Sequence, residues 1–255
     1  MIYCDTCIWY ELHGENHSNP IKSGLKASLL NMLEISTSKT LYERPIIFQR
    51  AISNLLKYPQ VIIPEDPIQH IIKVNDPSFK SNPSLFEKLQ TEFKTLNNTD
   101  LKKFEEIINE TKKELKDRVA NFDSPLKEIV NLINKESPKI KGHIKSSSTL
   151  KSHRKINTLD LTKEVIKNLV NSNTKHLVDW TRYDWTKINV FVHVLDITFK
   201  KLETGELVTF SINDFYDILH FVYVQPEDTF WTLETRWNTL LSSNSLGSII
   251  YKENL

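Results

Sequence analysis

The opening residues constrain the chain most. Met1-Ile2-Tyr3-Cys4 is apolar, short enough for a strand buried in a parallel sheet, and followed at once by Asp5-Thr6. Asp5 then stands at the carboxyl end of that strand, the edge at which open α/β sheets bind ligands. A carboxylate leaving a core is costly to bury without a cation or a hydrogen-bond partner, so Asp5 is the first candidate metal ligand. The plainer role for it is to cap the next helix.

A second stretch, Ser211 to Trp237, supplies the complement. Read as a helix from about Asn213, it sets Phe215, Ile218, Leu219 and Val222 on one apolar stripe. Asp214 and Asp217 lie off that stripe as neighbours, where their charges repel unless a cation or solvent sits between them. After a turn at Gln225 to Asp228, Thr229-Phe230-Trp231-Thr232 reads as a short strand ending at Glu234. Asp214 also completes a capping box with Ser211, Glu234 has Arg236 beside it, and Asp228 has its place in the turn. Asp217 has no such structural role. Val61-Ile62-Ile63 reads as another buried strand, with Glu65 and Asp66 just past its end. Asp66 before Pro67, and Glu43 before Arg44-Pro45, are also ordinary helix starters.

Tyr3-Cys4-Asp5-Thr6-Cys7-Ile8 resembles the opening strand of PIN-domain nucleases, which ends in Asp-Thr-Asn. Asp217-Ile218-Leu219-His220 with Thr232-Leu233-Glu234 resembles their later acidic helix and Thr-x-Asp strand end. The likeness covers the two ends of the chain, roughly a third of it; Cys7 stands where the family commonly has Asn, and Glu234 where it commonly has Asp. It implies a PIN-like three-layer α/β domain with a central parallel sheet, and Asp5, Asp214, Asp217 and Glu234 as catalytic acids. Asp5, Asp217, Glu234 and Asp66 are then the metal set for Mg²⁺ or Mn²⁺, the second acid being one of Glu43, Glu65 and Asp66. Clustered carboxylates holding such ions fit phosphodiester hydrolysis, in which the ions activate water and neutralise charge on the transition-state oxygens. The implied activity is that of an endoribonuclease on single-stranded RNA, as in toxin or defence nucleases, with a homodimer or an inhibitory partner protein left open.

The alternatives are a PIN-like scaffold with a degenerate site, or a mostly helical interaction protein. Thr6 and His220 are the substrate contacts expected beside the acids. Global charge does not announce a nucleic-acid partner, with 33 basic against 32 acidic residues, so a basic surface has to be local. Ser137 to Asn157 carries Lys139, Lys141, Lys145, Lys151, Arg154 and Lys155 with no acid. We assign Lys145, Lys151, Arg154 and Lys155 to phosphate contact; a solvated linker is the plainer role.

This basic loop lies in a helical insertion, residues 75–184, between two parts of the α/β domain, 1–74 and 185–255. Within the first part, Ser23 to Glu34 reads as a helix with Leu25, Leu29, Leu30 and Leu33 on one face. Within the second, Ile188 to Phe199 reads as a helix and Leu207 to Phe210 as a strand. The aromatic cluster Trp180, Tyr183 and Trp185 either stacks bases or packs the insertion onto its host. Two cysteines exclude a disulfide framework, and five glycines leave no phosphate-cradling glycine-rich loop. No apolar run approaches the ~20 residues that span a bilayer. The expectation is a soluble cytoplasmic protein with no membrane partner.

Overall fold

Alternation along the opening strand builds both faces of the sheet. The computed structural model describes residues 1–12, 23–107, 158–204, 210–244 and 246–252, with Glu110, Lys113, Asp117, Val130, Asn131, Asn134 and Leu207. Ile2–Cys4 (β1), Leu25–Ser28 (β2), Pro59–Ile63 (β3) and Thr229–Trp231 (β4) form an all-parallel sheet in the order β3-β2-β1-β4. β1 is therefore central. Its Ile2 and Cys4 point into one core with Leu25, Ala27 and Trp231, while Tyr3 points into the other with Phe230.

The helices follow in chain order: Thr6–Glu11 (α1), Leu29–Thr37 (α2), Thr40–Glu43 (α3), Pro45–Lys57 (α4) and Pro67–Lys73 (α5). Ser84–Asn97 (α6), Thr158–Asn173 (α7), Asn189–Thr204 (α8), Ile212–Leu219 (α9) and Thr235–Ser242 (α10) complete the set. Ile8 and Trp9 of α1, Phe48 and Ile52 of α4, and Leu89 and Phe93 of α6 fill the first core. The second is filled by Ile71 of α5, Ile166 of α7, Phe191 and Leu195 of α8, and Phe215 and Ile218 of α9. Helices thus cover both faces of a parallel sheet, the three-layer α/β arrangement, with a largely helical middle region.

Three local readings change. Residues 23–34 are not one helix: Leu25–Ser28 is β2, and α2 begins only at Leu29. Gly24, at φ +88°, makes the entry to β2 a backbone turn that favours glycine, and β2 then gains parallel neighbours on both sides. Val61-Ile62-Ile63 does form a strand, but at the sheet edge, and Val61 is 43% exposed. Pro59 suits that edge because it has no N–H to give to a ladder. At Leu207 to Phe210 the two described residues are outside any strand; Phe210 instead exchanges backbone hydrogen bonds with the Asn134 amide, at 2.9 and 2.6 Å.

The aromatic cluster packs rather than presents. Trp180, Tyr183 and Trp185 lie with ring centroids 4.8 to 5.7 Å apart, and the Tyr183 hydroxyl donates to the Ile71 carbonyl at 2.8 Å. Burial pushes the Tyr183 hydroxyl well above its ordinary pKa, so it stays a donor. The basic segment from Ser137 to Asn157, with Lys145, Lys151, Arg154 and Lys155, lies outside the described residues. No helix among those described is long and apolar enough to cross a membrane.

Candidate metal centre

The ends of β1, β2 and β4 meet at one edge of the sheet, and each delivers polar side chains there. Past β1, Asp5 is the N-cap of α1; its Oδ1 accepts from the Thr6 backbone N–H at 2.6 Å. Its Oδ2 accepts from the Thr232 hydroxyl, just past β4, at 2.6 Å. Cap and candidate ligand are thus one residue, and Asp5 is buried. Thr232 also accepts from the Glu234 backbone N–H at 3.1 Å, so the Thr-x-Glu segment orients Asp5 directly. Cys7, in α1, places its thiol 3.4 Å from Asp5 Oδ2 and 3.4 Å from the Leu233 backbone N–H. Burial, then Asp5, raise that thiol far above its ordinary pKa, which leaves it neutral.

Past β2, α2 supplies Glu34, which the sequence does not single out. The Thr6 hydroxyl donates to Glu34 Oε2, and the same oxygen lies 2.9 Å from His220 Nε2. Asp5, Glu34 and His220 bring ligand atoms within 4.8 Å of one another. Asn31, also on α2, knits these elements together. Its amide nitrogen donates to the Cys4 carbonyl and the Thr6 hydroxyl, both at 3.1 Å, and its Oδ1 accepts from Ser28 N–H at 2.8 Å.

His220 follows α9 and is 1% exposed, so it is not a surface histidine. Its Nδ1 lies 2.9 Å from the Tyr3 hydroxyl, which is in turn 2.8 Å from Ser28 Oγ. Burial disfavours the imidazolium, but Glu34, then Asp5 and Asp217, outweigh it and raise the pKa to about 9. The counterpart holds for Glu34: burial pushes its carboxyl up, and the charge and hydrogen bond of His220 with the Thr6 bond bring it below its usual range. At neutral pH His220 is therefore the cation of the metal-free pocket.

A second cation faces the remaining acids. Arg236 sends NH1 to Asp214 at 2.5 Å, NH2 to Asp217 and Nε to Glu234 at 3.1 Å. Asp214 also accepts from Ser211 N–H at 2.8 Å, which makes it the capping-box acid of α9. Asp217 is pulled both ways. Burial, Glu34, Glu234 and Asp5 raise its pKa to about 7 against the guanidinium, whose charge is shared among three carboxylates.

The acids past β3 do other work. Asp66 caps α5, accepting from Gln69 N–H at 2.9 Å, and Glu65 is paired with Lys73. Glu43 ends α3 and is exposed. Among the described residues the acid beside Asp5 is accordingly Glu34, and none of Glu43, Glu65 and Asp66 belongs to the 4.8 Å group. The signal that could have found Glu34 is the Leu25-x-Ala27 alternation behind Gly24. With a strand there, Glu34 falls in the helix leaving the same sheet edge as Asp5.

Comparison of the chain with models of protein families, with curated proteins and with solved structures gives no match in any of the three.

Proposed function

We propose that this protein is a metal-dependent endoribonuclease, with a PIN-like site, that hydrolyses phosphodiester bonds in single-stranded RNA. The observation that carries the reading is the convergence of Asp5, Glu34 and His220 at the carboxyl edge of the central strand, with Asp217 close enough for its charge to be felt by His220. The donor chemistry fits a hard divalent cation. Carboxylate oxygens favour Mg²⁺ or Mn²⁺, and in the metal-free pocket His220, held at both nitrogens, is the charged neighbour of Glu34. Asp5, Glu34 and Asp217 would hold the ion, and when bound it supplies Lewis-acid activation of the scissile phosphate and of the attacking water.

The chain's own residues set the geometry. Thr6 N–H and Thr232 fix both oxygens of Asp5, and the Thr6 hydroxyl fixes Glu34. Tyr3 fixes the imidazole ring. Stored repulsion among Asp5, Glu34, Glu234 and Asp217 is relieved by a cation, which gives the site its affinity.

The test is cleavage of labelled single-stranded RNA with Mn²⁺, with Mg²⁺ and with chelator. The wild type should cut only with metal, and Asp5→Asn, Glu34→Gln and Asp217→Asn should each lose at least ~100-fold, the scale on which a misplaced catalytic group acts. Equal cleavage by all four proteins removes this reading. A second reading, a scaffold with a degenerate site, is favoured by Arg236, whose guanidinium already occupies three of the acids; absence of cleavage by the wild type with either metal would select it.

A further inference from the structure

Arg236 is placed unlike a structural ion-pair residue. It is half-exposed, whereas the pocket behind it is buried. Its guanidinium sits 4.9 Å over the Trp237 ring, and that ring is itself packed in the core against Phe221. The indole gives the head group a fixed platform at the mouth of the acidic edge. The planar fork that here meets three carboxylates is equally matched to a phosphate.

We propose that Arg236 is the phosphate-binding side chain of this site, held on Asp214, Asp217 and Glu234 until Asp217 turns to a divalent cation. The inference rests on the metal reading above and adds a consequence to it. In the metal-free protein the guanidinium competes with metal for Asp217. Once Asp217 is neutralised by an ion, Asp214 and Glu234 hold the fork from the outer side and its free N–H groups face incoming phosphate. Metal and phosphodiester binding then favour each other, and the coupling is reciprocal.

The experiment compares the full-length wild type with Arg236→Gln and Arg236→Lys, and uses Asp5→Asn as the control for the metal site. Mn²⁺ affinity is measured by calorimetry, and binding of a fluorescent single-stranded RNA by anisotropy in Ca²⁺. Arg236→Gln should bind Mn²⁺ about tenfold or more tightly than wild type and RNA about tenfold or more weakly. Arg236→Lys, which keeps the charge and loses the fork, should fall between them in both. The opposite signs are the signature, because a merely structural arginine would weaken both on removal. Loss of both affinities, or no change in either while Asp5→Asn abolishes Mn²⁺ binding, overturns the inference and leaves the metal reading standing. No Mn²⁺ binding by wild type or Arg236→Gln overturns both.

Discussion

The His220–Glu34 pair sets how the metal-free protein responds to alkali. The pKa of His220 is raised to about 9, so its contribution is complete below the ordinary histidine value and is lost as pH rises through 9. The loss amounts to roughly 3 kcal/mol at most, from the size of the shift. Unfolding free energies from urea titrations should fall more for the wild type than for Glu34→Gln between pH 6 and 10, because Glu34 is the largest of the charges that raise His220. Parallel profiles would mean that the pair does not form. Asp217 acts with the opposite sense. Its carboxyl is raised to about 7, so charging it as pH rises toward neutrality costs stability, and Asp217→Asn should melt at or above the wild-type temperature at pH 7.5 in chelator. A clear drop would make Asp217 a structural partner of Arg236 first. At this scale the sequence showed Asp5, Asp214 and Asp217 because apolar neighbours frame each acid. Glu34 lacked that frame, since Leu29, Leu30 and Leu33 around it read as one continuous helical face.

Among elements, β2 is where local pattern and tertiary structure part. Leu25, Leu29 and Leu33 repeat at helical spacing, yet Leu25 belongs to a strand whose stability comes from β1 and β3 on either side. Gly24 and Asn31 make the arrangement possible. A side chain at Gly24 would be strained at φ +88°, and its Cβ would come within 2.8 Å of the Gln60 amide. Gly24→Ala should therefore destabilise by about 1–2 kcal/mol, chiefly through the backbone because the Gln60 tip can move. A neutral result in urea unfolding would show that β2 tolerates a different entry. β1, β4 and α9 were legible because each is short, apolar at its own period and bounded by turn or cap residues. The expected buried strand at Val61 was legible as a strand only, since edge position is set by partners distant in sequence.

Across the whole molecule, the middle region shares the cores of the sheet. Phe93 of α6 and Phe104 pack with Phe48 and Trp9 under one face, and Ile166 of α7 packs with Phe191 under the other. Phe93→Ala should cost about 3–5 kcal/mol, as a deleted core ring does, and lower a single unfolding transition. Two transitions, only one of them shifted, would separate the middle region from the α/β core. Charge balance hid the site at this scale: the acids gathered at the sheet edge are cancelled over the chain by 33 basic residues. Only topology, with β1 central and β2 and β4 beside it, gathers Asp5, Glu34 and His220, with Asp217 near enough for the charges of Glu34 and Asp5 to raise its pKa. The most direct measurement of that gathering is the melting temperature against added Mn²⁺. A cation bound to the folded state alone stabilises it by about 2.7 kcal/mol at a hundred times its dissociation constant. The wild type should rise with Mn²⁺ and saturate, while Asp5→Asn and Glu34→Gln stay flat over the same range; an equal rise in all three, or none in the wild type, would contradict a metal centre at this edge.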